Sequence, residues 1–141
     1  MLQSVDLKKP KPTRNQHLVM TVLEDAEKPL TAYRILEQLQ DAGLNAPLQI
    51  YRALERLIKM GRVHRLESLN AFIACSHSSH GHIHPHSTAF HICEECGHVA
   101  EFHDGRVERA LLRQARESGF DIRHSTIEIR GMCSGCNINC R

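Results

Sequence analysis

The stretch Pro47-Leu48-Gln49-Ile50-Tyr51-Arg52-Ala53-Leu54-Glu55-Arg56-Leu57-Ile58-Lys59-Met60-Gly61, followed at once by Arg62-Val63-His64-Arg65-Leu66-Glu67 and Phe72-Ile73-Ala74-Cys75, decides the fold. Pro47 suits the first turn of a helix, because a missing N–H costs nothing there, and Gly61 suits its end. Ile50, Leu54, Leu57 and Ile58 fall on one face at helical spacing, which leaves Gln49, Arg52, Arg56 and Lys59 on the opposite side. A solvated amphipathic helix has the same pattern as a DNA-recognition helix. The residues after Gly61 separate the two: the segments 62–67 and 72–75, joined by Ser68-Leu69-Asn70-Ala71, read as a β-hairpin. A hairpin directly after a third helix is the order of a winged helix, and it favours DNA binding.

Working toward the amino end, Leu18, Val19, Val22, Leu23 and Ala26 recur at helical spacing, and Lys28-Pro29 closes that helix. Thr31 is placed to cap a second helix with Ala32, Ile35, Leu36 and Leu39 on its apolar face, closing near Gly43. Three short helices and a hairpin make a DNA-binding domain over residues 1–80. Charge agrees: residues 1–65 hold eleven Lys and Arg against seven Asp and Glu, whereas residues 66–141 hold seven against nine. Lys8, Lys9 and Lys11 in the leader are further candidates for phosphate contacts.

Working toward the carboxyl end, the tract around residues 81–87 is rich in Ser, His, Gly and Pro and reads as a hinge. A second domain, 88–141, comes after it: a strand Ala89 to Cys93, a strand Val99 to Phe102, a helix capped by Asp104 with Val107, Ala110, Leu111 and Ala115 as its buried face and Gly119 at its end, and a strand Ile122 to Arg130. The fold class expected is α+β, a winged helix-turn-helix plus a second, α/β domain.

Six cysteines in 141 residues, with no signal-like leader and no apolar run of membrane-spanning length, read as metal ligands or reactive thiols in a cytoplasmic protein rather than as disulfides. Cys93-Glu94-Glu95-Cys96 and Cys133-Ser134-Gly135-Cys136 are two CxxC knuckles separated by 36 residues. Paired thiolates at this spacing hold zinc tetrahedrally, so Cys93, Cys96, Cys133 and Cys136 are expected to bind a structural zinc. Cys140 follows closely enough to substitute, and reads as a spare thiol. Eleven histidines cannot all be ligands. His17, His77, His80 and His82 are read as ordinary polar side chains, whereas Cys75 at the end of the wing and His86 at the end of the hinge lie at the domain junction. A metal bound there would fix how one domain sits on the other.

These residues resemble the ferric uptake regulator family over nearly the whole chain: Ile50-Tyr51-Arg52-Ala53-Leu54 is similar to its recognition helix, and a wing, a His-rich hinge, Cys93-x-x-Cys96-Gly97 running into Val99 and Glu101-Phe102, and Cys133-x-x-Cys136 come in order after it. The chain looks most like the zinc uptake branch, whose regulatory His, Cys, His and Glu match His64, Cys75, His86 and Glu101. Iron sensors of the family typically carry a His-His-Asp-His run just ahead of the first CxxC. Here His82-Ile83-His84-Pro85-His86 is set further back. A thiolate ligand also favours zinc over harder metals. A further site found in some members would fall on His84, Glu108 and His124.

The resemblance implies a homodimeric, zinc-dependent repressor of zinc uptake genes. It would carry about two zinc ions per chain, bind a palindromic double-stranded operator through Gln49, Tyr51, Arg52 and Arg56, and have no small-molecule substrate and no catalytic group. Alternatives are an iron, manganese or peroxide sensor of the same family. From other classes come a zinc-storage protein, which needs no recognition helix, and a zinc hydrolase with Glu101 as general base, which needs an open coordination position and a substrate pocket.

Overall fold

The computed structural model describes residues 11–76 and 87–137. Helix α1 (Arg14–Asp25) starts at a capping box, in which the Gln16 backbone N–H donates to Thr13 Oγ1 at 3.3 Å and the Thr13 N–H to Gln16 Oε1 at 3.1 Å. Helix α2 (Ala32–Leu39) is capped by the Thr31 hydroxyl, which accepts from the Arg34 N–H, and a 3-10 turn ends at Gly43 with φ +90°. Helix α3 (Pro47–Lys59) carries Pro47 in its first turn. Val19, Ile35, Ile50 and Leu57 are wholly buried where the three helices meet. The face expected of α3 is shifted: Ala53 is buried with Ile50, Leu54 and Leu57, and Ile58 is on the surface.

Strands β1 (Val63–Leu66) and β2 (Ala71–Ala74) form the wing, joined by a 3-10 turn, Glu67–Leu69, and by Asn70 at φ 46°. Their register pairs His64 with Ile73 and Arg65 with Phe72. Successive side chains on a strand point to opposite faces, so the hairpin has two different sides. Val63 and Phe72 join the helical core, while Leu66 and Ile73 turn the other way and pack with Phe90, Ile92 and Val99. The wing is therefore a wall shared by two cores. Leu30 bridges to Phe72, extending the wing by one short partner.

The second sheet has the order β4-β3-β5, with β3 (Ser87–Cys93) at the centre, β4 (Val99–Phe102) antiparallel to it and β5 (Ser125–Gly131) parallel. A parallel neighbour needs a long crossover. Here it runs through β4 and helix α4 (Gly105–Glu117), which starts at Asp104 as expected. The expected buried face of α4 is reduced to Ala115. Val107, Ala110 and Leu111 are exposed on the single chain, together with Phe120, Ile129 and Met132. Among the described residues, nothing covers this apolar stripe.

Candidate metal centres and nucleic-acid interface

The register of the second sheet assembles the cysteines. Cys93 ends β3 opposite Gly131 at the end of β5, so the two knuckles leave the sheet side by side. The Glu94 N–H donates to the Gly131 carbonyl at 2.8 Å, and the Cys133 N–H points at Cys93 Sγ, 3.3 Å away. Gly97, at φ +74°, turns the first knuckle back into β4. The four sulfurs of Cys93, Cys96, Cys133 and Cys136 all lie within 4.8 Å of one another, and Cys96 and Cys133 are 3.8 Å apart. A tetrahedron with zinc–sulfur bonds of ~2.3 Å has edges of ~3.8 Å, whereas a disulfide would need ~2.05 Å. The donors fit zinc. The backbone amides of Cys96 and Cys133 pull the Cys93 thiol down to about 6, while hydrogen bonding with the Cys133 and Cys96 sulfurs pushes Cys136 up to about 12. Four thiolates cannot share this space without a cation to neutralise them.

A second cluster lies where the wing meets the sheet. His64 shares the face of Leu66 and Ile73, so its ring reaches across to Phe90, edge to face at 5.5 Å. Glu101 is paired with Phe90 in the β3–β4 ladder and points the same way. His64 Nε2 is 3.6 Å from Glu101 Oε1, and Cys75 Sγ, just past β2, is 3.9 Å from the same oxygen. Glu101 Oε2 accepts from the backbone N–H and the hydroxyl of Ser76, at 3.1 and 3.0 Å. Nitrogen, sulfur and oxygen atoms of His64, Cys75 and Glu101 all fall within 4.8 Å of one another, the separation of ligands on one small divalent ion. Burial opposes a charge on His64. The hydrogen bonds to Cys75 and Glu101 and the two negative groups outweigh it, raising the imidazole to about 9.

Of the other residues singled out from sequence, His84 and His86 lie outside the described residues. Glu108 is 3.9 Å from His103 Nε2, a partner that sequence reasoning missed because His103 sits outside both knuckles and hinge. His124 lines an open groove with Leu112, Arg116, Phe120 and Arg123. Among the described residues, neither Glu108 nor His124 joins a cluster of three ligands.

On α3, Tyr51, Arg52 and Arg56 are exposed. Gln49 is half-buried, and its side-chain oxygen accepts from the backbone N–H groups of Asn45 and Ala46, both at 3.1 Å. It thus fixes the start of the helix that presents the arginines, a role its place on the polar face did not suggest. Leu48, next to Gln49, is exposed as well.

A winged helix sharing its wing with a cysteine-knuckled sheet, and a mixed-donor cluster at the seam, define a metal-binding regulator class of α+β protein. The chain belongs to the ferric uptake regulator family, whose model matches residues 8–130. It is 36% identical over 127 residues to the zinc uptake regulation protein of Escherichia coli (strain K12), covering 89% of this chain and 71% of that one. It is 30% identical over 129 residues to the zinc uptake regulation protein of Mycobacterium tuberculosis (strain ATCC 25618 / H37Rv), covering 88% and 92%. Among solved structures it resembles holo XcZur, with a TM-score of 0.80 at 37% identity over 89% of this chain and 86% of that one. It also resembles a zinc uptake regulator complexed with zinc and DNA, with a TM-score of 0.82 at 32% identity over 89% and 83%.

Proposed function

We propose that this protein is a zinc-responsive DNA-binding repressor of zinc uptake genes, active as a zinc-loaded homodimer on a palindromic operator. The observation that carries this reading is the convergence of His64 and Cys75 from the wing with Glu101 from the second sheet. An ion held there ties the orientation of the DNA-binding half, residues 1–80, to the dimerising half, residues 88–141, through the hinge at 81–87. His86 is the fourth ligand. Cys93, Cys96, Cys133 and Cys136 hold the structural zinc, giving about two zinc ions per chain, and a further site would use His84, Glu108 and His124. The exposed α4 stripe of Val107 and Leu111 supports a second copy as its cover.

Dimer geometry sets the spacing of half-sites, so reorientation of one half on the other is sufficient to switch DNA binding. Tyr51, Arg52 and Arg56 on α3 read the major groove, with Gln49 ordering the helix start. Relatives described as zinc uptake regulation proteins, and a neighbour complexed with zinc and DNA, favour zinc as the signal and DNA as the partner. No catalytic group enters this function. No helix among the described residues is long and apolar enough to cross a membrane, and we place the regulator in the cytoplasm, where its operator is.

Operator binding titrated against buffered free zinc tests the reading. Cys75→Ser and Glu101→Ala should leave a folded dimer with its cysteine-bound zinc yet raise the zinc midpoint or abolish the response. An unchanged midpoint in both variants would move the sensor elsewhere, with His84, Glu108 and His124 next.

A further inference from the structure

The ladders of the second sheet place Glu101, Phe90 and Glu128 in one row: Phe90 pairs with Glu101 on β4 and with Glu128 on β5. All three side chains therefore face the wing. Glu101 meets the open end of the hairpin at His64, Cys75 and Ser76. Glu128 meets the other end. Its carboxylate accepts from the backbone N–H of Glu67 at 2.6 Å and from that of Ser68 at 3.0 Å. Those amides open the 3-10 turn Glu67–Leu69, where the first N–H groups have no partner within the turn. Between the two carboxylates, wholly buried Phe90 packs on Leu66.

A carboxylate spanning two adjacent amides accepts in one orientation, and charge-assisted bonds are the strong kind. Burial disfavours the charge on Glu128, yet the bonds to Ser68 and Glu67 and nearby Arg130 hold its pKa below the usual carboxylate value. The two partners lie 60 and 61 residues away in sequence, so the contact contributes little to local structure and much to how the wing sits on the sheet.

We propose that Glu128 is a positioning residue for DNA binding: it latches the wing turn to β5 and, paired with the metal-side grip of Glu101, selects the orientation that zinc stabilises. The latch rests on the zinc-responsive function and adds to it a metal-free determinant of the same equilibrium. Because coupling between sites is set by the balance of the two orientations, loosening the latch taxes zinc binding without touching a ligand.

The test uses the full-length dimer and its Glu128→Ala and Glu128→Gln variants. Both should keep the cysteine-bound zinc and unfold cooperatively with a modestly lowered thermal midpoint, and bind operator at saturating zinc within about threefold, while needing about tenfold more free zinc for half-maximal binding. Amide hydrogen exchange on zinc-loaded, DNA-free protein should speed up at Glu67 and Ser68 and stay unchanged at the cysteine knuckles. An unchanged zinc midpoint, or unchanged exchange at the turn, overturns the latch. Loss of cooperative unfolding in both variants would make Glu128 structural and overturn its positioning role. If parent protein shows no zinc-dependent operator binding, the regulatory reading fails by itself, and the exchange measurement still decides whether the latch exists.

Discussion

His64 Nε2 stands 3.6 Å from Glu101 Oε1, with the two side chains 15% and 5% exposed, so an imidazole of the wing and a carboxylate of the second sheet meet across a nearly dry seam. Without a metal, this is a proton-dependent bond between the two halves.

That bond has a definite pH signature. The imidazole is raised from 6.5 to about 9 on folding, so in metal-free protein its stabilisation is fully present below pH 6.5 and is lost as pH climbs toward 9. Zinc bound through His64 would require the neutral ring and eject the proton. Over the same window zinc affinity should rise, with His64 alone contributing about tenfold per pH unit. Thermal melts of chelator-treated protein and zinc competition titrations between pH 6.5 and 9 should move in opposite directions. Parallel trends would remove His64 from the site.

The cysteine cluster predicts a different lability. Structural zinc in small peptides is worth roughly 10–16 kcal/mol of apparent binding free energy, and an ion held by the four cysteines would join the ends of β3 and β5. Mild chelation should therefore strip the junction zinc first and leave about one ion per chain. Cys93→Ser with Cys96→Ser should lose that ion and the dimer together, read by metal analysis and sizing. A folded dimer in the double variant would deny the structural role.

Arg52 carries a third expectation. A bidentate arginine contact to guanine discriminates by about 1–3 kcal/mol. Arg52→Ala should flatten operator preference more than it weakens binding to unrelated DNA, at fixed salt and saturating zinc. Gln49→Ala should instead weaken both, since it frees the Asn45 and Ala46 amides at the start of α3. Full operator preference in Arg52→Ala would show that another surface reads the sequence.

Much of the winged half, and the start of α4, was legible because the signals are local. Thr31, Pro47 and Asp104 announce helix starts through their own chemistry, and the hairpin after Gly61 is written in alternation and turn residues. The knuckles were legible from spacing alone. The remainder depends on what the chain packs against. Val107 and Leu111 have the period of a buried face but are exposed on one chain, since periodicity says that a surface wants cover and not where the cover comes from. Leu66 and Ile73 look like ordinary hairpin residues, and only the assembled molecule assigns them to the second core. Glu128 is the clearest case: a lone acid alternating with Ile127 and Ile129 reads as a solvent-facing position. Its register opposite Phe90 cannot be seen without the sheet.

The parallel seating of β5 beside β3 also orders events during synthesis. The three helices and the wing are built mostly from neighbours in sequence, so they are able to close as soon as they emerge from the ribosome. Strands β3 and β4 form their hairpin next, leaving one long side of β3 bare. Cys133 comes 40 residues after Cys93, so for that interval the nascent chain carries an unpaired strand edge and half a set of thiols. The arrival of β5 ends both exposures in a single docking step, and a chain stalled before it would be a natural target for aggregation or proteolysis.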